Sequence, residues 1–136
     1  MNFVVAQLLL HCSESFAFWL FVALIQDWNL KEVYGRQLRG LFMHSAIIDV
    51  LVKANMPELG SRLEQANLKA NVYVSEWLIG MFASIIPSEH MVIFFDNFFK
   101  SGWLFFYQLV LSILKHHEKE IETEEDMYCL LRKIKE

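Results

Sequence analysis

Charge is the first scarcity in this sequence of 136 residues: between Met1 and Gln26 the only ionised side chain is Glu14. Over the whole chain, 12 Lys and Arg stand against 16 Asp and Glu, a net charge of −4 with a pI near 5.7. General affinity for nucleic acid needs a basic face, and this balance argues against one. Glycine is scarce too, with five residues and no cluster. A phosphate-cradling loop is therefore not expected, and neither a P-loop nor G-x-G-x-x-G occurs. H-E-x-x-H and G-x-S-x-G are also missing. The two cysteines, Cys12 and Cys129, lie far apart with no C-x-x-C pair, so they read as small buried hydrophobes in a reducing compartment. Metal-ligand spacing fails as well. His116 and His117 are adjacent and point about 100° apart on a helix, His11/Cys12 and Glu89/His90 share the defect, and His44 is solitary. No metal and no cofactor are expected.

What the chain has in quantity is apolar side chains, 55% of it, in a length suited to one domain with a core. The apolar runs Phe3–Leu10, Phe16–Ile25 and Trp103–Leu114 each fall short of the about 18–20 residues that cross a bilayer. No basic segment precedes Phe3, which disfavours a signal peptide. Buried helices are the expectation, against a membrane-associated bundle.

The stretch from Asn71 to Leu114 organises the rest. It reads as three helices, separated by Pro87 and Gly102. In the first, Tyr73, Trp77 and Met81 stand four apart, with Val74, Leu78, Phe82 and Ile85 on the adjoining stripe, an apolar face too wide for a surface helix. Pro87 is expected to end it and Ser88 to cap the next. Gly102 is expected as a left-handed C-cap. The third helix has one thin polar line, Gln108, Ser112 and Lys115.

Upstream, Val4, Val5, Leu8 and Leu9 follow at helical intervals, Ser13-Glu14-Ser15 breaks that helix, and a second runs from Phe16 to about Trp28. Asn29 to Arg39 reads as a polar connection with a turn at Tyr34-Gly35. A helix from Phe42 to Ala54 follows, with Ser45, Asp49 and Lys53 as its polar line and Ile47, Ile48 and Leu51 inward. Pro57 suits a first helical position before a short helix to about Ala66. After Leu114 the character turns polar. Thr123-Glu124-Glu125-Asp126 resembles a capping box for a last helix, Met127 to about Lys135.

The series Tyr73, Trp77, Phe82, Pro87, Phe94-Phe95-Asp96-Asn97-Phe98-Phe99, Gly102, Phe106 and Leu114 resembles the C-terminal half of a TBC domain, the all-helical domain that activates Rab-type GTPases. Ala17-Phe18-Trp19, Gly40-Leu41-Phe42 and Pro57/Leu59/Leu63 also resemble family motifs. Phe95 departs from the pattern, which prefers Trp there. The resemblance implies an all-α, multi-helix orthogonal bundle like the C-terminal lobe of that domain. It divides the chain into a partial TBC-like domain, 1–117, and an acidic linker with a terminal amphipathic helix, 118–136.

The same resemblance implies a mechanism and its absence here. TBC domains supply in trans an arginine from I-x-x-D-x-x-R, which neutralises charge on the transferred phosphoryl group, and a glutamine from Y-x-Q, which orients water. In the family a G-M-N triplet follows Y-x-Q. Met1-Asn2 matches its last two residues, so the chain is expected to begin just downstream. Asn2 would then sit near the GTPase; alternatively it is an asparagine at a fraying terminus or in a helix–helix hydrogen bond. Asp96 is either a carboxylate accepting hydrogen bonds or pointing to water, or a contact for a partner. Tyr73 and Trp77 are expected in the core. Two functions follow: part of a Rab-GTPase-activating protein, inactive as this chain alone, or a catalytically silent TBC-like scaffold in a cytoskeletal or trafficking assembly. The partners implied are a small Rab-type GTPase, through the complete domain, and other chains covering the apolar N-terminal helices. The compartment implied is the cytoplasm, at endomembranes or the cytoskeleton.

Overall fold

A computed structural model describes residues 1–123, all helix and connecting turns, with no strand among the described residues. The helix expected from Met127, and its capping box apart from Thr123, lie outside them. In chain order the helices are α1 (Asn2–His11), α2 (Glu14–Gln26), α3 (Leu30–Tyr34), α4 (Arg39–Asn55), α5 (Pro57–Gln65), α6 (Ala70–Tyr73), α7 (Ser75–Gly80), α8 (Ser88–Ser101) and α9 (Trp103–Thr123). α4 is the axis of the bundle and packs on α3, α5, α6, α7 and α9. α1 and α2 pack on each other at one side, and α1 also meets α8.

The core forms where wide apolar stripes converge. Tyr73, Trp77, Phe82, Phe98 and Phe106 are fully buried. Phe82 is the hub of their rings, 5.3 Å from Trp77, 5.8 Å from Phe94 and 5.1 Å from Phe106 between centroids. Burial of each such side chain contributes about 1.5–3 kcal/mol, so this cluster dominates the interior.

One expected helix is not continuous. The stretch from Asn71 to Pro87 is broken into α6, α7 and a tight turn over 81–86, so α7 ends at Gly80 and Pro87 only precedes α8. Met81 and Phe82 both adopt left-handed backbone, φ 47° and 58°. Each such residue costs about 1–2 kcal/mol. The turn nevertheless buries both side chains completely, which a straight helix with apolar residues all round could not do. Tertiary packing overrides the helical period here.

Four smaller expectations also change. The polar connection after Asn29 contains α3, because Leu30 and Val33 are spaced to bury together. On α4 the inner face is Leu41, His44, Ser45, Ile48 and Val52, so Ser45 is buried and Ile47 exposed, opposite to the pattern reading. A helix apolar on most sides does not declare which stripe faces in. The polar residues after Leu114 continue α9 through Thr123, where Ile121 is buried. At the α8–α9 corner Gly102 has φ 59° and ψ −139°, a region open to glycine rather than the left-handed helical one expected. The Trp28 ring sits where a Cβ would project, and Trp103 Nε1 donates to the Trp28 carbonyl at 2.9 Å.

Candidate functional site

The first feature that packing leaves open is the outer surface of α1 and α2. Both helices are apolar on nearly every side, so burying Val4 and Leu8 on one and Ala17 and Leu24 on the other leaves a second apolar face bare. Phe3, Leu9, Leu10, Phe16, Phe18 and Trp19 are exposed there, and Phe18 meets Trp19 edge to face at 5.4 Å. An apolar face of this kind marks an interaction surface more often than a free one.

A polar joint holds α1 to the start of α8. Ser88 Oγ donates to Gln7 Oε1 at 2.9 Å and lies 3.4 Å from His11 Nε2, while Gln7 Nε2 donates to the Ala83 carbonyl at 3.4 Å. Ser88 was expected to cap α8, but it makes no cap hydrogen bond. Its hydroxyl is taken by α1 instead.

Between α4 and α9, His44 is buried with its ring stacked on Trp103 at 3.7 Å and Nδ1 2.6 Å from the Tyr107 hydroxyl. Burial lowers the His44 pKa to about 4, so the imidazole is neutral at pH 7. Burial pushes the Tyr107 phenol up to about 12. Sequence reasoning left His44 as a solitary histidine, and only its four-residue spacing from Ile48 on an inward stripe hinted at burial.

Beside α4, a cleft of about 180 Å³ is lined by Asp49, Lys53, Glu64 and Lys69 among others. Lys53 Nζ and Glu64 Oε1 pair across it at 3.0 Å. Asp49 Oδ1 accepts from the Ala70 amide at 2.8 Å, satisfying one of the free donors at the start of α6. The Tyr73 pKa is raised by burial and, secondarily, by the Asp49 charge. Among the described residues no group of three His, Cys, Asp or Glu could hold a metal ion. Cys12 is half-buried and its thiol donates to the Leu8 carbonyl at 3.0 Å; Cys129 lies outside the described residues.

The residues singled out in the sequence divide into two sets. Tyr73, Trp77, Phe95, Gly102 and Phe106 are buried, and the rings of Trp77, Phe95 and Phe106 connect through Phe82 and Phe94. Asn2, Pro87 and Asp96 are exposed. Asn2 opens α1, Pro87 precedes α8 and Asp96 lies on the outer side of α8. Among the described residues no helix is long and apolar enough to cross a membrane.

Among the described residues the chain is an all-helical body with an aromatic core and an exposed apolar flank on α1 and α2. A profile of the Rab-GTPase-TBC domain matches residues 1–122, and the chain belongs to that family. Growth hormone-regulated TBC protein 1 of Homo sapiens is 30% identical over 122 residues, 89% of this chain and 36% of that protein. The GTPase activating protein Gyp51 of Schizosaccharomyces pombe is 27% identical over 121 residues, 89% of this chain and 12% of its own length. The human ecotropic viral integration site 5 protein homolog is 25% identical over 119 residues, 88% of this chain and 15% of that protein. The chain thus spans little more than a third of the longest-covered of these three relatives.

Proposed function

We propose that the chain is the C-terminal portion of a Rab-GTPase-activating TBC domain and that these 136 residues alone do not accelerate GTP hydrolysis. The observation that carries the second part is a count of chemistry. The arginines are Arg36, Arg39, Arg62 and Arg132, and none stands in I-x-x-D-x-x-R; Y-x-Q does not occur either. Without an arginine to neutralise the developing phosphoryl charge and a glutamine to hold the water, positioning and electrostatic stabilisation both fail. Arg39 is bound to Gln37 at 2.7 Å on the α3–α4 corner, far in sequence from any matching motif.

On this reading the partner of the complete domain is a small Rab-type GTPase, and Asn2 lies near its nucleotide. Buried Tyr73, Trp77, Phe95 and Phe106 hold the body together, with Gly102 making its corner. Residues 1–117 make up this partial TBC-like domain, and 118–136 its acidic linker and terminal helix. The bare flank of α1 and α2 also supports the scaffold reading, in which the fold binds other chains without catalysing anything.

Reading the nucleotides upstream of the Met1 codon separates the two. An in-frame Y-x-Q-G, preceded by an arginine motif, and Rab activation by the chain extended through both, supports the GTPase activator. An in-frame stop directly upstream, with the chain purifying only together with other polypeptides, refutes it in favour of the scaffold.

A further inference from the structure

We propose that Gln7 and Ser88 are positioning residues: the polar joint they form with His11 fixes the rotation and register of α1 on the body, and so places whatever α1 carries at its N-terminus. Apart from Asn2 at the first position, the only polar side chains of α1 are Gln7 and His11. Residues four apart share one face of a helix, and these two reach the same hydroxyl. Ser88 Oγ donates to Gln7 Oε1 at 2.9 Å, and the same oxygen faces His11 Nε2 at 3.4 Å with a lone pair to offer. The other end of the Gln7 amide donates to the Ala83 carbonyl at 3.4 Å. That carbonyl follows the left-handed pair Met81 and Phe82, so one side chain ties α1 both to this turn and to the start of α8.

Apolar packing cannot set the register of such a helix, because the hydrophobic effect is non-directional. Val4 and Leu8 are the buried pair, but the neighbouring pair Val5 and Leu9 is just as apolar. Turning α1 by one residue, about 100°, exchanges one pair for the other with little change in apolar surface. What that turn breaks is the joint, stranding part-buried groups of Gln7 and Ser88 without partners. A fully satisfied polar network of this kind selects one arrangement among several greasy ones. The consequence for catalysis rests on the reading proposed above, in which Met1 and Asn2 end G-M-N and the water-orienting glutamine stands just upstream. A slip of one residue shifts everything attached to the N-terminus of α1 by about 1.5 Å and turns it by about 100°. Misplacing a catalytic group by about 1 Å can cost about 100-fold in rate.

The test uses the domain extended upstream through Y-x-Q-G and the arginine motif, and reads phosphate release from GTP-loaded Rab GTPases. Ser88→Ala and Gln7→Leu should each lower kcat about 10–100-fold and leave KM within about threefold, the signature of lost positioning rather than lost binding. The double variant should be no worse than either single one, because both remove the same joint. Ser88→Thr keeps a hydroxyl and should retain the rate. Tyr34→Phe removes a hydrogen bond elsewhere, the 2.9 Å bond from the Tyr34 hydroxyl to the Ile79 carbonyl between α3 and α7, and should leave kcat unchanged. Should Gln7→Leu lose its helical circular dichroism, Ser88→Ala makes the same test alone. An active domain whose kcat survives Ser88→Ala overturns this inference and leaves the proposed function standing. An equal loss in Tyr34→Phe overturns it too, since the effect is then one of general stability, as does a loss confined to KM. A wild-type extended domain that activates no Rab GTPase refutes the proposed function, and the positioning role falls with it.

Discussion

Replacing His44 with phenylalanine should remove a pH dependence from the stability of the bundle. The native imidazole is wedged against Trp103 at 3.7 Å and titrates at about 4, while an unfolded histidine titrates near 6.5. Between those values the unfolded chain holds the extra proton. The folded state therefore loses stability as pH falls through that window, and the contribution is fully present only above it. Integrated from pH 7 down to pH 5, the loss is about 2 kcal/mol from this one ring. Phenylalanine keeps the stack on Trp103, leaves the half-buried Tyr107 hydroxyl without its partner, and cannot take a proton. Urea unfolding of both proteins at the two pH values measures the difference, and subtraction cancels the carboxylates common to both. The wild type should lose about 2 kcal/mol more than the variant on going from pH 7 to pH 5. Equal losses would show that His44 takes its proton without strain, and the account of its burial would fail.

Three further outcomes follow from the packing. Trp77→Ala should cost about 3–5 kcal/mol, read by urea titration, because the indole is fully buried and stacked on Phe82. Gly102→Ala should cost about 2–5 kcal/mol, since a Cβ at that positive φ would project into the Trp28 ring; an unchanged melting temperature would refute the packing of Trp28 against Gly102. Asp49→Ala should cost about 1 kcal/mol by loss of the hydrogen bond to the Ala70 amide, and Asp49→Asn should recover most of it.

Much of this was legible in the residues because it rested on strong local signals. Pro57 at a first helical position, Gly102 after Ser101 and the four-residue spacing of Tyr73 and Trp77 all act over one or two turns. The ordered anchors from Tyr73 to Phe106 led to the family that the profile also matches. What escaped reading depends on contacts distant in sequence. Ser88 is bound by Gln7, 81 residues away, and His44 by Tyr107, 63 residues away. The left-handed turn at Met81-Phe82 exists because the far aromatic rings receive Phe82, and nothing in the local spelling announces it. Where apolar residues surround a helix, as on α4, periodicity loses its power to say which side is in.

The most direct test of the central claim is single-turnover phosphate release from GTP-loaded Rab GTPases, followed as the purified chain is added in excess. On the proposed reading the rate should stay at each GTPase's intrinsic value at every concentration, because neither I-x-x-D-x-x-R nor Y-x-Q occurs in these residues. A rate that climbs well above the intrinsic one and saturates would contradict the account.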